Sequence, residues 1–241
     1  MPPLKPYSTD LPYSYAPGVF PSLQLMQNCP ERAQRLLLSE KAQGEGVEKL
    51  REICRAHRVR EEIADKALSR ISGKQNCFAA VVFEKWQSEL KPDAPHVILH
   101  HPMDEGNLGT IQRTLLGLGV EDIAVIRPAA DVFDPKVVRA TMGAVFSLRV
   151  KQYEDFSLYR MEHPNHALYP FMLDGSVMLE EAVANVQRPF GLVFGNEGSG
   201  LPPEFAGKGQ PVRIPSNERI DSLNLSIAAA IGVYSFVQKG I

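Results

Sequence analysis

The stretch from Gly191 to Phe236 places the strictest limits on how this chain can fold. It opens with the apolar run Leu192-Val193-Phe194 between two glycines, which is the pattern of a strand buried on both faces. The run ends in the sequence GNEGSGL, in which three glycines surround Glu197. A second apolar piece, residues 212–214, follows, and a polar loop then leads into a helix of small residues. Two strand ends and one helix start are therefore expected to bring together loops rich in backbone N–H groups.

The glycine loop GNEGSG, residues 195–200, indicates close approach of the backbone to a ligand. Glycine lets the chain come near a bound group, and open α/β sheets bind ligands at the carboxyl ends of their strands. A tight turn without a ligand is the simpler interpretation of the same residues. No Gly-Lys-Ser/Thr follows, and the glycine order does not match G-x-G-x-x-G, so a nucleoside triphosphate or ordinary dinucleotide site is disfavoured.

Apolar runs and turn residues divide the chain into four parts. Residues 1–18 hold five prolines and three tyrosines, which predicts an extended N-terminal segment. Residues 19–85 alternate helices and strands, which is typical of a small α/β domain, and the polar stretch 86–95 predicts a linker. Residues 96–241 repeat strand and helix five or six times, which predicts a parallel sheet with helices on both faces. Strands are expected at residues 35–39, 78–83, 96–100, 123–126, 146–150 and 167–173.

Three motifs in the larger domain together resemble those of one enzyme family. The first is N-x-G-x-x-x-R from Asn107 to Arg113, the second is GNEGSGL, and the third is IPSNERIDSLNLSIAAA, which begins at Ile214. In this order they resemble the motifs of the SpoU-type (TrmH) RNA methyltransferases, which belong to the knotted SPOUT superfamily. The resemblance covers residues 97–236. It implies a deep trefoil knot in the C-terminal domain, a feature that periodicity cannot indicate.

The resemblance also implies that the knot binds S-adenosylmethionine as cofactor and needs no metal ion. Backbone groups would hold the adenine and the methionine tail. Asn224 and Ser226 fall in the first turn of the last helix, where free N–H groups favour a carboxylate. The implied cofactor-binding residues are Leu173, Gly195, Asn196, Gly200, Ile214, Leu223, Asn224 and Ser226.

The implied methyl acceptor is a ribose 2′-hydroxyl, which must lose its proton as it attacks the methyl group. The family assigns this activation to the arginine of the first motif, here Arg113. Because an arginine pKa lies above about 12, a free base is implausible, and a role as phosphate clamp and hydroxyl polariser is preferred. Asn107 and Glu197 would hold this arginine and the cofactor loop, while Ser222 and Asn224 would fix the polar rim of the pocket.

RNA is the partner that the resemblance implies, with ribosomal RNA favoured over transfer RNA because of the extra N-terminal domain. That domain resembles the RNA-recruiting domain of many family members. Its candidate contacts, with one from the larger domain, are Arg51, Arg55, Arg58 and Arg139. A solvated helix face explains the first three equally well. Composition gives RNA binding no support, because the net charge is −2, with +2 through residue 95 and −4 beyond it.

The family further implies a homodimer through the C-terminal domain. The small residues of the last helix, Ala228, Ala229, Ala230 and Gly232, would permit close packing there. No apolar run approaches the roughly 20 residues of a membrane helix, and the N-terminus lacks the apolar core of a signal peptide. Three widely spaced cysteines fit reduced thiols. These features predict a cytoplasmic protein with no membrane partner.

Two alternatives stay open at this stage. One is a non-catalytic RNA-binding or ribosome-assembly protein with the same fold. The other is methylation of an RNA base. The presence of all five polar motif residues favours an enzyme over the first alternative, and the Ser-Leu-Asn tripeptide at residues 222–224, with the first motif, favours ribose over base methylation.

Overall fold

The computed structural model describes residues 4–72, 77–174, 177–217 and 219–238. The chain forms two compact units: a small unit, Met1–Trp86 with Asp131–Ser147, and a large unit, Gln87–Ala130 with Leu148–Ile241. The helices and strands, in chain order, are β1 (Tyr13–Pro17), α1 (Val19–Asn28), β2 (Ala33–Leu38), α2 (Glu45–Ala56), β3 (Arg60–Ile63), α3 (Asp65–Ser72), β4 (Ala79–Glu84), β5 (His96–His100), α4 (Glu105–Gly117), β6 (Asp122–Ile126), α5 (Pro135–Ala140), β7 (Arg149–Tyr153), α6 (Phe156–Glu162), β8 (Ala167–Pro170), β9 (Val177–Met178), α7 (Leu179–Ala184), β10 (Phe190–Phe194), β11 (Val212–Arg213) and α8 (Leu225–Gln238).

The small unit is built on a four-stranded sheet in the order β1-β4-β2-β3. Strand β4 runs antiparallel to β1 and β2, whereas β2 and β3 are parallel. Helix α2 is amphipathic, since Val47, Leu50 and Cys54 are all buried. Burial raises the pKa of the Cys54 thiol to about 12, which keeps it protonated.

Two segments differ from the predicted division of the small domain. The extended N-terminal segment is not separate, because β1 pairs with β4 as an edge strand, the position in a sheet that tolerates its Pro17. Residues 131–147 also belong to this unit, although the sequence placed them in the larger domain. The reason is aromatic packing: Phe133 and Phe146 lie edge-on to Phe83, with ring centroids 5.6 and 5.2 Å away.

The large unit contains a five-stranded sheet in the order β7-β6-β5-β10-β8. All four neighbouring pairs are parallel, which confirms the predicted parallel sheet. Every residue of β5, β6 and β10 is buried, as expected for strands covered on both faces. Helix α4 packs against α8, and β9 pairs with β11 in a separate two-stranded sheet.

Some predicted boundaries in the large unit are wrong. The strand expected at 146–150 lies at Arg149–Tyr153, because Ala144–Ser147 form a 3-10 turn. Strand β8 ends at Pro170 rather than at 173, because Phe171 bridges to Val212 instead. The expected linker at 86–95 packs against this unit from residue 87 onward: Leu90 is buried in its core.

No helix in the described part of the chain is both long and apolar enough to cross a membrane. The described cysteines, Cys29, Cys54 and Cys77, are not joined in disulfides. The trefoil knot stays a prediction.

Candidate active site

A cavity of about 500 Å³ lies at the carboxyl ends of β8, β10 and β11, where the start of α8 forms a further wall. Small-molecule sites usually measure about 300–1,000 Å³. The wall combines the backbone of the glycine loop with apolar and acidic side chains. The lining residues include Phe171, Met172, Leu173, Asp174, Phe194, Gly195, Asn196, Glu197, Gly200, Arg213, Ile214, Ser216, Asp221, Ser222, Leu223, Leu225 and Ala228.

Glu197 ties the glycine loop to the loop that follows β5. Its carboxylate accepts hydrogen bonds from the backbone N–H groups of Met103 (3.1 Å) and Asp104 (3.0 Å). The Asn196 side chain makes a parallel link, since its Nδ2 donates to the carbonyl of His101 at 2.8 Å. Two motifs more than ninety residues apart are thereby held side by side.

Gly195 is required by the way the glycine loop closes on itself. Asn196 and Gly200 exchange two backbone hydrogen bonds, of 3.1 and 3.0 Å. A Cβ atom at position 195 would lie 2.2 Å from the carbonyl carbon of Gly200, and Gly200 itself adopts a positive φ of 67°. The loop can therefore form only with glycine at 195, and glycine is strongly favoured at 200.

The first and third motifs meet through a pair of asparagines. Asn224 Nδ2 donates to Asn107 Oδ1 at 3.0 Å, which links the start of α4 to the start of α8. Asp104 caps α4 by accepting from the Asn107 N–H at 2.7 Å. The contact between Asn107 and Asn224 joins residues 117 positions apart, as the motif resemblance implies for a shared site.

Asn224 also corrects one expectation about the cofactor carboxylate. Helix α8 begins at Leu225, so Asn224 precedes the helix rather than lying in its first turn. Its Oδ1 accepts from the N–H and the hydroxyl of Ser226, at 2.8 and 2.6 Å. Because the Ser226 N–H group already donates to the side chain of Asn224, this N–H group is not free to bind an anionic ligand.

Arg113 is one of the predicted site residues that do not line the cavity. It is exposed on α4, six residues beyond Asn107 and so about 9 Å along the helix axis. Within the described residues it has no hydrogen-bond or ion-pair partner and is not among those that line the cavity. Its side chain is therefore available to a group outside this chain.

The remaining predicted residues divide into two sets. Six of the eight implied cofactor-binding residues line the cavity, together with Glu197 and Ser222 from the catalytic set. Asn224 caps α8 by accepting from Ser226 instead, and Asn107 and Arg113 lie outside the lining. The sequence analysis missed Phe171, Met172, Arg213, Ser216 and Asp221. Most of these lie at or just after the ends of β8 and β11, so the rule that parallel sheets bind at strand ends could have indicated them.

The four candidate RNA-binding arginines have different environments. Arg51 is held by ion pairs to Glu48 (2.7 Å) and Glu61 (3.2 Å), whereas Arg55 and Arg58 are exposed. Arg139 is half-buried in the last turn of α5. Of the four candidates, Arg55 and Arg58 are therefore the exposed ones.

Buried His100 closes the carboxyl end of β5 near this site. Its ring stacks on His101, with centroids 3.8 Å apart, and lies edge-on to Phe205 at 4.9 Å. Burial, helped by the neighbouring His101, lowers the pKa of His100 to about 4. The ring is therefore neutral at pH 7 and packs as an aromatic group.

Comparison with known proteins agrees with this geometry. Residues 94–234 match the model of the SpoU rRNA Methylase family. An uncharacterized tRNA/rRNA methyltransferase of Synechocystis sp. is 28% identical over 73% of this chain and 65% of its own length. The 23S rRNA (adenosine(1067)-2′-O)-methyltransferase of Streptomyces laurentii is 32% identical over 56% of this chain. The chain thus spans 65% and 51% of the lengths of these two relatives.

Solved structures show the same fold over most of the chain. An AdoMet-bound rRNA methyltransferase from Sinorhizobium meliloti superposes with a TM-score of 0.81 at 26% identity, covering 95% of this chain and 88% of that one. The SpoU methyltransferase AviRb from Streptomyces viridochromogenes gives a TM-score of 0.81 at 23% identity, covering 95% and 90%. These similarities confirm the predicted α/β fold class.

Proposed function

Because this chain belongs to the SpoU rRNA Methylase family, we propose that it transfers a methyl group from S-adenosylmethionine to a ribose 2′-hydroxyl in structured RNA. The observation that carries the proposal is the joining of three separate motifs at the carboxyl edge of the sheet. Glu197 binds the loop before α4, and Asn224 binds Asn107. Ribosomal RNA is the favoured substrate, because the similar proteins from Streptomyces laurentii and Sinorhizobium meliloti are rRNA methyltransferases. The proposed location is the cytoplasm.

The cavity suits S-adenosylmethionine in volume and in charge. The cofactor supplies an electrophilic methyl group on a sulfonium, and its sulfonium and ammonium charges outnumber its one carboxylate. Among the described residues that line it, the cavity offers three carboxylates, Asp174, Glu197 and Asp221, against one guanidinium, that of Arg213. The excess of negative charge on the cavity wall favours a cationic ligand. Backbone groups of Gly195, Ile214 and Leu223 are the proposed contacts for the rest of the cofactor, with Leu173, Asn196 and Gly200 around them.

Methyl transfer needs an aligned acceptor oxygen that loses its proton during attack. The oxygen–carbon bond forms as the sulfur–carbon bond breaks, and the proton leaves to a base or to solvent. We assign Arg113 the role of binding an RNA phosphate and polarising the hydroxyl, which fits its exposed and unpartnered side chain. Asn107, Glu197 and Asn224 are positioning residues, since their hydrogen bonds fix the loops on which the reaction depends, and Ser222 is proposed for the polar rim of the cavity that it lines.

RNA recruitment by the small unit is proposed for Arg55 and Arg58, while Arg51 offers a matched control. An Arg55→Gln change should weaken RNA binding and reduce the slope of log affinity against log salt by about 1, because one phosphate contact is lost. Arg51→Gln should have a smaller effect, because this guanidinium already pairs with Glu48 and Glu61. Filter-binding titrations at several salt concentrations measure both. Equal slopes for wild type and Arg55→Gln would remove Arg55 from the proposed surface.

A homodimer through the large unit is proposed on a corrected basis. The small residues Ala229 and Gly232 face the chain's own core, since a Cβ at 232 would lie 2.6 Å from the ring of Phe171. The outer face of α8 instead exposes Ile227 (51%) and Tyr234 (53%). These two side chains lie two turns apart on the same face of the helix. An exposed apolar pair of this kind suits an isologous contact with a second copy. Light scattering should show a dimer that Ile227→Glu converts to monomer, and a wild-type monomer with full activity would contradict this.

The proposed reaction is tested by incubating the purified protein with labelled S-adenosylmethionine and ribosomal RNA. Alkali cleaves RNA through the free 2′-hydroxyl, so a labelled dinucleotide that resists alkali identifies a ribose methyl group. Label recovered on a free base indicates base methylation. RNA binding without transfer, at saturating cofactor, indicates the non-catalytic alternative.

A further inference from the structure

Three buried histidines form a cluster at the amino ends of the parallel strands, the edge of the sheet opposite the cavity. His96 opens β5, and His163 and His166 stand between α6 and β8. One ring nitrogen from each histidine lies within 4.8 Å of the other two. Each residue is at most 4% exposed. The rings also touch: the centroids of His96 and His166 are 4.0 Å apart, and those of His96 and His163 are 4.6 Å apart.

The hydrogen bonds of two of these rings fix where their protons lie. His96 Nε2 is 2.7 Å from the carbonyl oxygen of Lys91, and His166 Nε2 is 3.0 Å from that of Ala94. A carbonyl oxygen only accepts, so both Nε2 atoms carry the proton and both Nδ1 atoms carry a lone pair. The lone pair of His96 Nδ1 accepts a hydrogen bond from the Tyr159 hydroxyl at 3.1 Å, a bond that a metal ion at this nitrogen would replace. An outer N–H donated to a backbone carbonyl is also the usual arrangement of histidines that bind a metal ion, because it orients the ring and raises its basicity.

The third histidine is left with an unsatisfied atom. His163 Nε2 lies 3.2 Å from the hydroxyl of Tyr153, but its Nδ1 is buried with no hydrogen-bond partner among the described residues. Burying a polar atom without a hydrogen-bond partner is unfavourable, because the atom loses its bonds to water. The Asp122 carboxylate and the Arg149 guanidinium are not available to His163 Nδ1, because they bind each other at 2.6 and 2.7 Å.

We propose that His96, His163 and His166 bind one transition-metal ion, with Zn²⁺ the best fit to three imidazole donors. Tetrahedral Zn²⁺ at about 2.1 Å from each nitrogen requires nitrogens about 3.4 Å apart. The rings of His96 and His166 are stacked, with planes 25° apart, so binding requires these two rings to rotate until a nitrogen of each faces the ion. The ion joins the start of β5 to the connection between α6 and β8. Its role is structural, since it lies at the edge of the sheet away from the cavity, and it is independent of the proposed methyl transfer.

The test uses the full chain, stripped with a chelator and then titrated with Co²⁺ or Zn²⁺. Co²⁺ should give the intense visible bands of a tetrahedral site, at one ion per chain, and Zn²⁺ should abolish them. Zn²⁺ at a hundredfold excess over its Kd should raise the melting temperature by about 5–10 °C. His163→Gln should lose both effects, whereas His57→Gln, at an exposed histidine of the small unit, should keep them.

Two results would overturn the proposal. One is an octahedral Co²⁺ spectrum, or no Zn²⁺-dependent stabilisation, in the wild-type chain. The other is an unchanged Zn²⁺ response in His163→Gln. Should His163→Gln fail to fold, the Co²⁺ spectrum and stoichiometry of the wild-type chain decide the question. Binding of S-adenosylhomocysteine in the presence of chelator stays as in untreated protein, so a failed metal site leaves the proposed function intact.

Discussion

The two edges of the parallel sheet use polar residues in opposite ways. At the amino edge, Asp122 is fully buried, and its carboxylate binds both the guanidinium of Arg149 and the N–H of Lys91. At the carboxyl edge, Asp174 and Asp221 are exposed on the wall of a cavity. Polar groups at the first edge bind one another and fasten strands. At the second edge, the loops are fastened by Glu197 and a cavity is left between them.

This difference teaches that hydrogen bonds alone do not identify a functional site. Both edges carry side-chain hydrogen bonds between distant residues, and the cavity described above lies at the carboxyl edge. Substitutions at the amino edge are therefore expected to change the free energy of unfolding, and substitutions at the carboxyl edge to change ligand binding or rate. Each prediction below tests one side of this division.

The largest effect is expected from Arg149→Met at the amino edge. Removal of the guanidinium leaves the Asp122 carboxylate, whose side chain is 1% exposed, without its counter-ion. Breaking a buried pair costs about 3–5 kcal/mol, and the partial exposure of Arg149 places this case near 3. Urea denaturation measures the loss. The double variant with Asp122→Asn should recover part of it, because no charge is then left buried.

An Arg149→Met variant as stable as wild type would contradict the structural role given to the amino edge. Much weaker binding of S-adenosylhomocysteine by the folded variant would also contradict it, since the amino edge would then contribute to the cavity.

At the carboxyl edge, Arg113→Ala should slow methyl transfer by about 10² to 10³-fold. One charge-assisted contact made in the transition state is worth about 2–4 kcal/mol, so kcat should fall with little change in cofactor affinity. Arg113→Lys should not restore the rate, because an ammonium cannot replace the planar fork. Arg188→Ala, an exposed arginine beside the amino end of β10, is the matched control. Near-normal single-turnover rates for Arg113→Ala would exclude the assigned role.

A smaller effect is expected at Asn224, whose side chain both caps α8 and binds Asn107. Asn224→Ala removes the cap of α8 and should cost about 1 kcal/mol of stability. Asn224→Asp keeps the oxygen that accepts from Ser226 but loses the amide that donates to Asn107. The aspartate variant should therefore unfold like wild type and still transfer methyl groups more slowly. Thermal unfolding and single-turnover kinetics separate the two roles, and identical rates in Asn224→Asp and wild type would show that the asparagine link is dispensable.

The carboxyl edge could be predicted from sequence because its residues occur in short motifs. GNEGSG marks a strand end and a tight loop within a few residues, and six of the eight cofactor residues implied by the resemblance line the cavity. What could not be predicted is which donors stay free. The capping of the Ser226 N–H by Asn224 depends on where α8 begins, and a shift of one residue reverses the conclusion.

The amino edge could not be predicted because its contacts join residues far apart in sequence. Asp122 and Arg149 are 27 positions apart, and His96 lies far from the other two histidines of its cluster. The same limit explains the misassigned segment 131–147: its attachment to the small unit depends on Phe133 and Phe146 meeting Phe83, a contact that no local pattern marks.

Binding of S-adenosylhomocysteine, measured by calorimetry, tests most directly whether the carboxyl edge holds the cofactor. Wild type should bind one molecule per chain, and Gly117→Ala, where an added Cβ meets nothing within 4 Å, should bind alike. Gly195→Ala should lower the affinity by at least about tenfold, because its Cβ would lie 2.2 Å from the Gly200 backbone and displace the loop. A folded Gly195→Ala variant that binds as tightly as wild type, or a wild-type chain that does not bind, would contradict the account.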